Sequence, residues 1–271
     1  MTTPLSLDAS IQWMGWIAGT GLTLSAVQQL LTWRDYRPGE LFDWGVLRLT
    51  YMHVSRRYFR ILSAFLGAKG FLGLLVFRLA GLSLFFLSSD QVVQAAGLTA
   101  VLISLLLAGF RYRYGQDGSD QMFLLLTTAL TLRWWFTSSP GVDQVCLWFV
   151  ALQATLAYTV SGLAKVISPT WRSGRAVAGI FNTRQYGHHQ IATLLARRPG
   201  VSRLVAWGVF GFEVAFPLAF LFGFPTVWVF IAVAFLFHIA CAVVMGLDQF
   251  VWAFAATYPA ILYAVGAIHP S

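Results

Sequence analysis

Five ionisable side chains, Arg78, Arg133, Lys165, Glu213 and His238, fall inside stretches that are otherwise strongly apolar. A charge placed in hydrocarbon is costly, so each of these residues is a functional candidate before it is a structural one. Lys165 is one of only two lysines and closes the run Tyr158-Thr-Val-Ser-Gly-Leu-Ala-Lys165. Tyr158, Ser161, Gly162 and Lys165 are spaced i, i+3, i+4 and i+7, which puts them on one face of a helix. That face carries a phenol, a hydroxyl, a gap and an amine. The gap at Gly162 has room for a ligand or for a neighbouring helix. A lysine withdrawn from water becomes a usable general base. The same residue at the end of a span can instead reach the interface along its own stem.

Glu213 lies in Phe210-Gly-Phe-Glu213-Val-Ala-Phe-Pro217. Alone in hydrocarbon it would be protonated. Beside a cation it can be ionised, and Arg78, Arg133 and Lys165 are the available partners. Pro217 takes away the donor due to the Glu213 carbonyl, which predicts a kink bordering a cavity. His238, in Phe235-Leu-Phe-His238-Ile-Ala, is a proton relay, a metal ligand or a helix-to-helix hydrogen bond. No spacing of His, Cys and carboxylates suits zinc, and no Gly-rich phosphate loop occurs. His188 and His189 are adjacent and would diverge on a helix. Cys146 and Cys241 both fall within apolar stretches, where a thiol is a packing residue rather than a nucleophile, and no disulfide framework is indicated.

The elements that hold these groups follow from composition. Of 271 residues, 58% are hydrophobic and only 10% charged, against about 25% charged in an average soluble domain. A soluble enzyme, a disordered tail and a nucleic-acid-binding domain are excluded, and no nucleic-acid partner is expected. The net charge of +8 comes from basic residues set between apolar runs rather than gathered on a polar face. The fold class is therefore all-α, a polytopic bundle of transmembrane helices in contact with the lipid bilayer. A span needs about 20 apolar residues. Eight candidates fit: Ser10–Leu31, Phe71–Ser88, Gln91–Phe110, Met122–Phe136, Val145–Ile167, Leu204–Phe222, Val227–Met245 and Phe250–Ala267.

Orientation follows from charge. Basic residues of 34–69, Arg111 with Arg113, and those of 172–203 including Arg184 make 15 of the 18 and fall on one side of such a bundle. The short connections around Asp90, Asp143 and Pro225 carry none. The positive-inside rule makes the basic side cytoplasmic and puts both termini outside. Leu41–Leu66 mixes Phe42, Trp44, Leu47, Tyr51, Tyr58, Phe59 and Leu62 with Arg48, Arg56, Arg57 and Arg60. It is too charged to span and too apolar to be free in water, so a basic amphipathic helix on the cytoplasmic leaflet is expected. Ala176–Arg198 reads as a second surface-lying segment, with Trp171 before it as an interface anchor. The chain thus divides into 1–70, a first span with its interfacial segment, and 71–268, the main transmembrane domain.

The run Tyr158-x3-Gly162-x2-Lys165-x5-Trp171-x2-Gly174 resembles the core motif of the horizontally transferred transmembrane (HTTM) family, whose members are related to vitamin K-dependent gamma-carboxylase. Phe77-Arg78-Leu-Ala-Gly81 is similar to that family's early arginine-containing span. Gly118-Ser-Asp120 is similar to its polar turn. Glu213-x3-Pro217, followed by His238 and Met245-Gly-Leu-Asp-Gln-Phe250, is similar to its final helices. The carboxylase's activating histidine has no counterpart at Gly118-Ser119-Asp120.

The resemblance implies a quinol-dependent, carboxylase- or oxygenase-like enzyme, and the bias of 16 Arg against 2 Lys points to a bacterial inner membrane. Its cofactor would be a reduced, vitamin K-type quinone, with no metal. Lys165 would be the base that deprotonates the quinol, and Glu213 and His238 would support it or handle protons. Tyr158, Ser161, Gly162, Trp171, Gly174, Arg78 and Arg133 would surround the quinol. The alternative is a non-catalytic membrane component of a peptide maturation or export system, with a peptide, protein substrate or membrane subunit as partner. A small transporter would favour internal symmetry and paired broken helices, and neither is visible.

Overall fold

The computed structural model describes residues 5–51, 56–111, 117–136, 140–183 and 186–270. Arg113 and Arg184, used above for orientation, lie outside the described residues. The described residues are helical, and no strand occurs among them. In chain order the helices are α1 (Leu7–Leu31), α2 (Trp44–Leu47), α3 (Arg56–Leu66), α4 (Ala68–Leu87), α5 (Gln91–Gly109), α6 (Gly118–Trp135) and α7 (Pro140–Ile167). They continue as α8 (Pro169–Arg172), α9 (Arg175–Phe181), α10 (His189–Arg197), α11 (Pro199–Ala215), α12 (Phe224–Met245), α13 (Asp248–Ala255) and α14 (Tyr258–Ile268). Among the described residues six segments are long and apolar enough to cross a membrane: α4, α5, α7, α11 with its extension to Phe220, α12, and α13 continued by α14. The chain is a multi-pass, all-α membrane protein.

The expected spans Ser10–Leu31 and Met122–Phe136 are helical too, as α1 and α6, but are not among those six. Gln12, Gln28 and Gln29 dilute the first, and Asp120 with Arg133 the second. The connection expected around Asp143 is instead the first turn of α7. A carboxylate is favoured there by the helix dipole, and Pro140 starts the helix without needing its missing donor. Pro225 likewise sits in the first turn of α12. Asp90 caps α5, accepting from the backbone N–H groups of Val92 and Val93.

Two compact units result, 12–146 and 1–11 with 147–271. In the first, α4 crosses α5 where Gly81 meets Gly97. A Cβ on Gly81 would lie 2.6 Å from the Gly97 carbonyl oxygen, and one on Gly97 would lie 2.5 Å from that of Gly81. Only two glycines allow this backbone approach, which in lipid gains packing rather than hydrophobic transfer energy.

The expected helix across Leu41–Leu66 is broken into α2, a 3-10 turn at Arg48–Tyr51, and α3. Asp43 caps α2 through Gly45 N and so starts a new element there. Arg111 gathers this surface region. It is buried, donates to the carbonyls of Leu66 and Phe42, and sets its guanidinium 4.6 Å from the Phe71 ring centre.

In the second unit, α8, α9 and α10 pack on α11 around Val177, Leu195, Ala206 and Phe210. The stretch expected to lie on the membrane surface is broken into α9 and α10. Gly174 makes the junction possible. Its φ is +80°, a Cβ there would lie 2.5 Å from Arg203 N, and its carbonyl accepts from Ser202 Oγ at 2.6 Å.

Candidate functional site

Lys165, near the end of α7, is held by Glu213 from α11. Its Nζ lies 2.6 and 2.7 Å from the two carboxylate oxygens and 2.5 Å from Ser161 Oγ, one turn back on α7. The Glu213 side chain is 5% exposed and that of Lys165 is 16%. The ammonium also sits 5.3 Å from the Trp171 ring centre, on α8. Gly162 sets this geometry. A Cβ on it would be 2.8 Å from both Glu213 Cβ and Val214 N. The gap in the α7 face is thus filled by the neighbouring helix, and that close approach brings the carboxylate to the amine.

The Glu213 end of α11 is shaped by Pro217. The α-helix stops at Ala215 and continues as a 3-10 turn over Phe216–Phe220. The Glu213 carbonyl, deprived of its usual donor, accepts from Phe216 N–H instead. The expected distortion is therefore a change of helix type. It also turns Phe216 inward, where its ring stacks on Tyr158 at 4.2 Å between centres.

About two turns back from Lys165 on α7, the Tyr158 hydroxyl meets His238 Nε2 of α12 at 2.8 Å. His238 is 3% exposed, its ring stacks on Phe254 of α13 at 4.5 Å, and its Nδ1 has no hydrogen-bond partner among the described residues.

The two polar groups, Lys165–Ser161–Glu213 and Tyr158–His238, line one cavity of about 390 Å³. Its remaining wall is almost wholly apolar, with Trp171, Phe181, Val209, Phe237, Cys241, Phe250 and Phe254 among the lining residues. The volume is at the lower end of the roughly 300–1,000 Å³ found for small-molecule sites, and an apolar wall with few convergent polar groups is their usual make-up.

Of the sequence-selected residues, Tyr158, Ser161, Lys165, Trp171, Glu213 and His238 line this cavity. Gly162 and Gly174 stand behind it as backbone contacts. Arg78 and Arg133 do not line it. Arg78 is buried on α4 with Nε 3.2 Å from Ser104 Oγ of α5. Arg133 pairs with Asp143 at 3.0 Å and stacks on Trp134. Both cations have nearer polar partners of their own in residues 12–146, so of the three cations considered for Glu213 only Lys165 pairs with it.

The aromatic wall from Phe237, Phe250 and Phe254 was not anticipated. The i, i+4 spacing puts Phe250 and Phe254 on one face of α13, but nothing in that spacing separates a ligand-facing face from a lipid-facing one. Among the described residues no cluster of His, Cys, Asp or Glu could hold a metal ion, and both cysteines are free.

No family model, curated protein or solved structure matches this chain. The class defined by its fold is the multi-pass helical membrane protein, here with a largely apolar cavity that carries a few polar groups.

Proposed function

We propose that the cavity is a quinol site and that the chain is a quinol-dependent, carboxylase- or oxygenase-like membrane enzyme, as the HTTM resemblance implies. One observation carries the reading: a salt-bridged lysine and a Tyr–His pair converge on a cavity that is otherwise apolar. A fused-ring quinol needs that combination of a greasy wall for its ring and polar groups for its hydroxyls. The buried His238 Nδ1, with no partner among the described residues, supplies a further polar contact.

When bound, a reduced quinone supplies reducing equivalents to dioxygen, quinol plus O2 giving quinone epoxide plus water. The protein's own part is proton handling. Lys165 Nζ passes its proton 2.6 Å to the Glu213 carboxylate and, as the amine, accepts the proton of a quinol hydroxyl. In a site this dry, the neutral amine and acid are an alternative to the ion pair rather than a forbidden state. Ser161 Oγ holds Nζ in place, and the Trp171 face covers it. Tyr158 and His238 hold the far side of the ligand. The positive-inside rule applied to the basic connections supports a Lys165 end facing the cytoplasm of a bacterial cell.

The test is turnover in nanodiscs supplied with reduced vitamin K and oxygen. Wild type forms epoxide, while Lys165→Ala remains folded and forms none. Absence of epoxide from folded wild type contradicts the enzyme reading. A second reading, a non-catalytic component of a peptide maturation or export system, is favoured by the salt bridge's tying α7 to α11. It predicts a stable partner complex that survives Lys165→Ala.

A further inference from the structure

Charge in residues 147–271 is one-sided. Lys165, Arg172, Arg175, Arg184, Arg197, Arg198 and Arg203 stand against only Glu213 and Asp248, and no Asp or Glu occurs from Gln144 to Phe212. Glu213 is taken by Lys165. Asp248 starts α13 and accepts from Gln249 Nε2 at 3.4 Å. Arg172, Arg175 and Arg203 are exposed, and among the described residues no ion pair reaches any of them.

These three arginines stem from one backbone junction. A Cβ on Gly174 would lie 2.5 Å from Arg203 N and 2.7 Å from its Cα. Arg175 follows Gly174 directly and Arg172 precedes it by two residues, so their Cα atoms lie within about 7.6 Å of that of Gly174. The junction is tied. Ser202 Oγ donates to the Gly174 carbonyl at 2.6 Å, and Trp207 Nε1 donates to the Arg172 carbonyl at 3.2 Å. Three like charges rooted so close together, with a Debye length of about 8 Å, repel one another unless an anion joins them.

We propose that the Gly174 junction binds the phosphate of an anionic phospholipid through Arg172, Arg175 and Arg203. Guanidinium groups suit a phosphate as charged, fork-shaped donors. Depth selects the lipid over a soluble phosphate. Arg203 lies in the first turns of Pro199–Phe220, a segment long and apolar enough to cross the membrane. Its neighbour Leu204 is 73% exposed, and Trp207, one turn on, is 47% exposed. That apolar surface belongs in lipid, and a tryptophan with its N–H hydrogen-bonded sits at headgroup level. The arginines beside it therefore stand where lipid phosphates stand. None of the three lines the Lys165 cavity, so the site is separate from it and independent of the quinol reading. The two adjoin at Trp171, which precedes Arg172 and faces the Lys165 ammonium, so a bound lipid steadies the residue that covers the amine.

The experiment follows binding of single lipid molecules to the full chain in detergent micelles by native mass spectrometry. The probes are dioleoylphosphatidylglycerol and dioleoylphosphatidylcholine, alike in their tails, with inorganic phosphate as soluble competitor. One variant combines Arg172→Gln, Arg175→Gln and Arg203→Gln. A control combines Arg34→Gln, Arg57→Gln and Arg60→Gln, exposed arginines of residues 12–146, and removes the same charge. Wild type should bind its first phosphatidylglycerol roughly tenfold or more tighter than phosphatidylcholine. The junction variant should bind the two alike, and the control should keep the preference. The junction side chains are exposed and outside any ion pair, so that variant should keep its near-ultraviolet circular dichroism. Should it not, Arg203→Gln alone repeats the comparison, with an expected loss of about fivefold for phosphatidylglycerol. Equal affinity of wild type for the two lipids overturns the site. A preference that survives in the folded junction variant overturns it too. So does an equal loss in the control, since binding would then follow net charge. Displacement of phosphatidylglycerol by inorganic phosphate at equal concentration overturns the lipid assignment in favour of a soluble phosphate.

Discussion

The Lys165–Glu213 contact can be either a routine intramembrane hydrogen bond or a desolvated ion pair, and the two differ enough in energy to be told apart. Polar contacts between membrane helices average about 0.6 kcal/mol in double-mutant cycles. Removing one partner of a buried ion pair costs about 3–5 kcal/mol, because the other charge is left uncompensated. Here the carboxylate side chain is 5% exposed and the amine 16%, with contacts at 2.6 and 2.7 Å. Ser161 Oγ and the Trp171 face remain to Lys165 once Glu213 is gone, which places Glu213→Leu at the lower end, about 3 kcal/mol. Replacing both residues, as Lys165→Met with Glu213→Leu, removes the charges together and should cost less than about 1 kcal/mol. The two singles then sum to at least about 6 kcal/mol, and the coupling between the substitutions is at least about 5 kcal/mol. The assay is reversible unfolding in mixed micelles, followed by near-ultraviolet circular dichroism, for both singles and the double. Singles costing under about 1 kcal/mol, or a double equal to the sum of the singles, would refute the ion-pair account.

Three further outcomes are expected. Gly162→Ala drives a methyl to within 2.8 Å of Val214 N, so it should cost about 1–3 kcal/mol in the same unfolding assay and should also weaken quinol binding by spreading α7 from α11. Gly97→Ala should cost a similar amount, about 2 kcal/mol, because the new Cβ meets the Gly81 carbonyl oxygen at 2.5 Å; Gly73→Ala, with open space around it, should be neutral or stabilising by up to about 1 kcal/mol. Asp43 accepts from the backbone N–H groups of Gly39 and Gly45, which hold its carboxyl below the ordinary 3.8. Its folded value is depressed, so its support for the α2 cap is complete above pH 3.8 and is lost as pH falls through the lower folded value. Amide exchange at Gly45 in wild type should show this acid-side fraying, and Asp43→Asn should lack that pH dependence.

The membrane class was legible because composition alone settles it: few charges over long apolar runs leave no soluble alternative. The α7 face was legible for a geometric reason, since Tyr158, Ser161 and Lys165 share a helix face by spacing and line one cavity. Glu213's partner was narrowed to three cations but not chosen, because helix pairing across 48 residues of sequence is not encoded in any local pattern. Gly162 was noticed as a gap and Gly174 only as part of a motif, yet α11 packs against both, a tertiary fact. Arg78 and Arg133 were grouped with the site because an intramembrane arginine attracts a functional reading. Their partners are Ser104, a residue with no charge to advertise it, and Asp143, which the sequence had suggested for a connection rather than a helix. The aromatic wall escaped notice because a phenylalanine in a span looks the same whether it faces lipid or a ligand.

The most direct measurement is photolabelling of the protein in nanodiscs with a reduced naphthoquinone bearing a diazirine, followed by peptide mapping. Labelling concentrated in 157–165, 205–213 and 237–254, and displaced by unlabelled quinol, is the predicted result. Labelling confined to 12–146, or spread over the lipid-facing helices and not displaced, would contradict the assignment of the Lys165 cavity as the functional site.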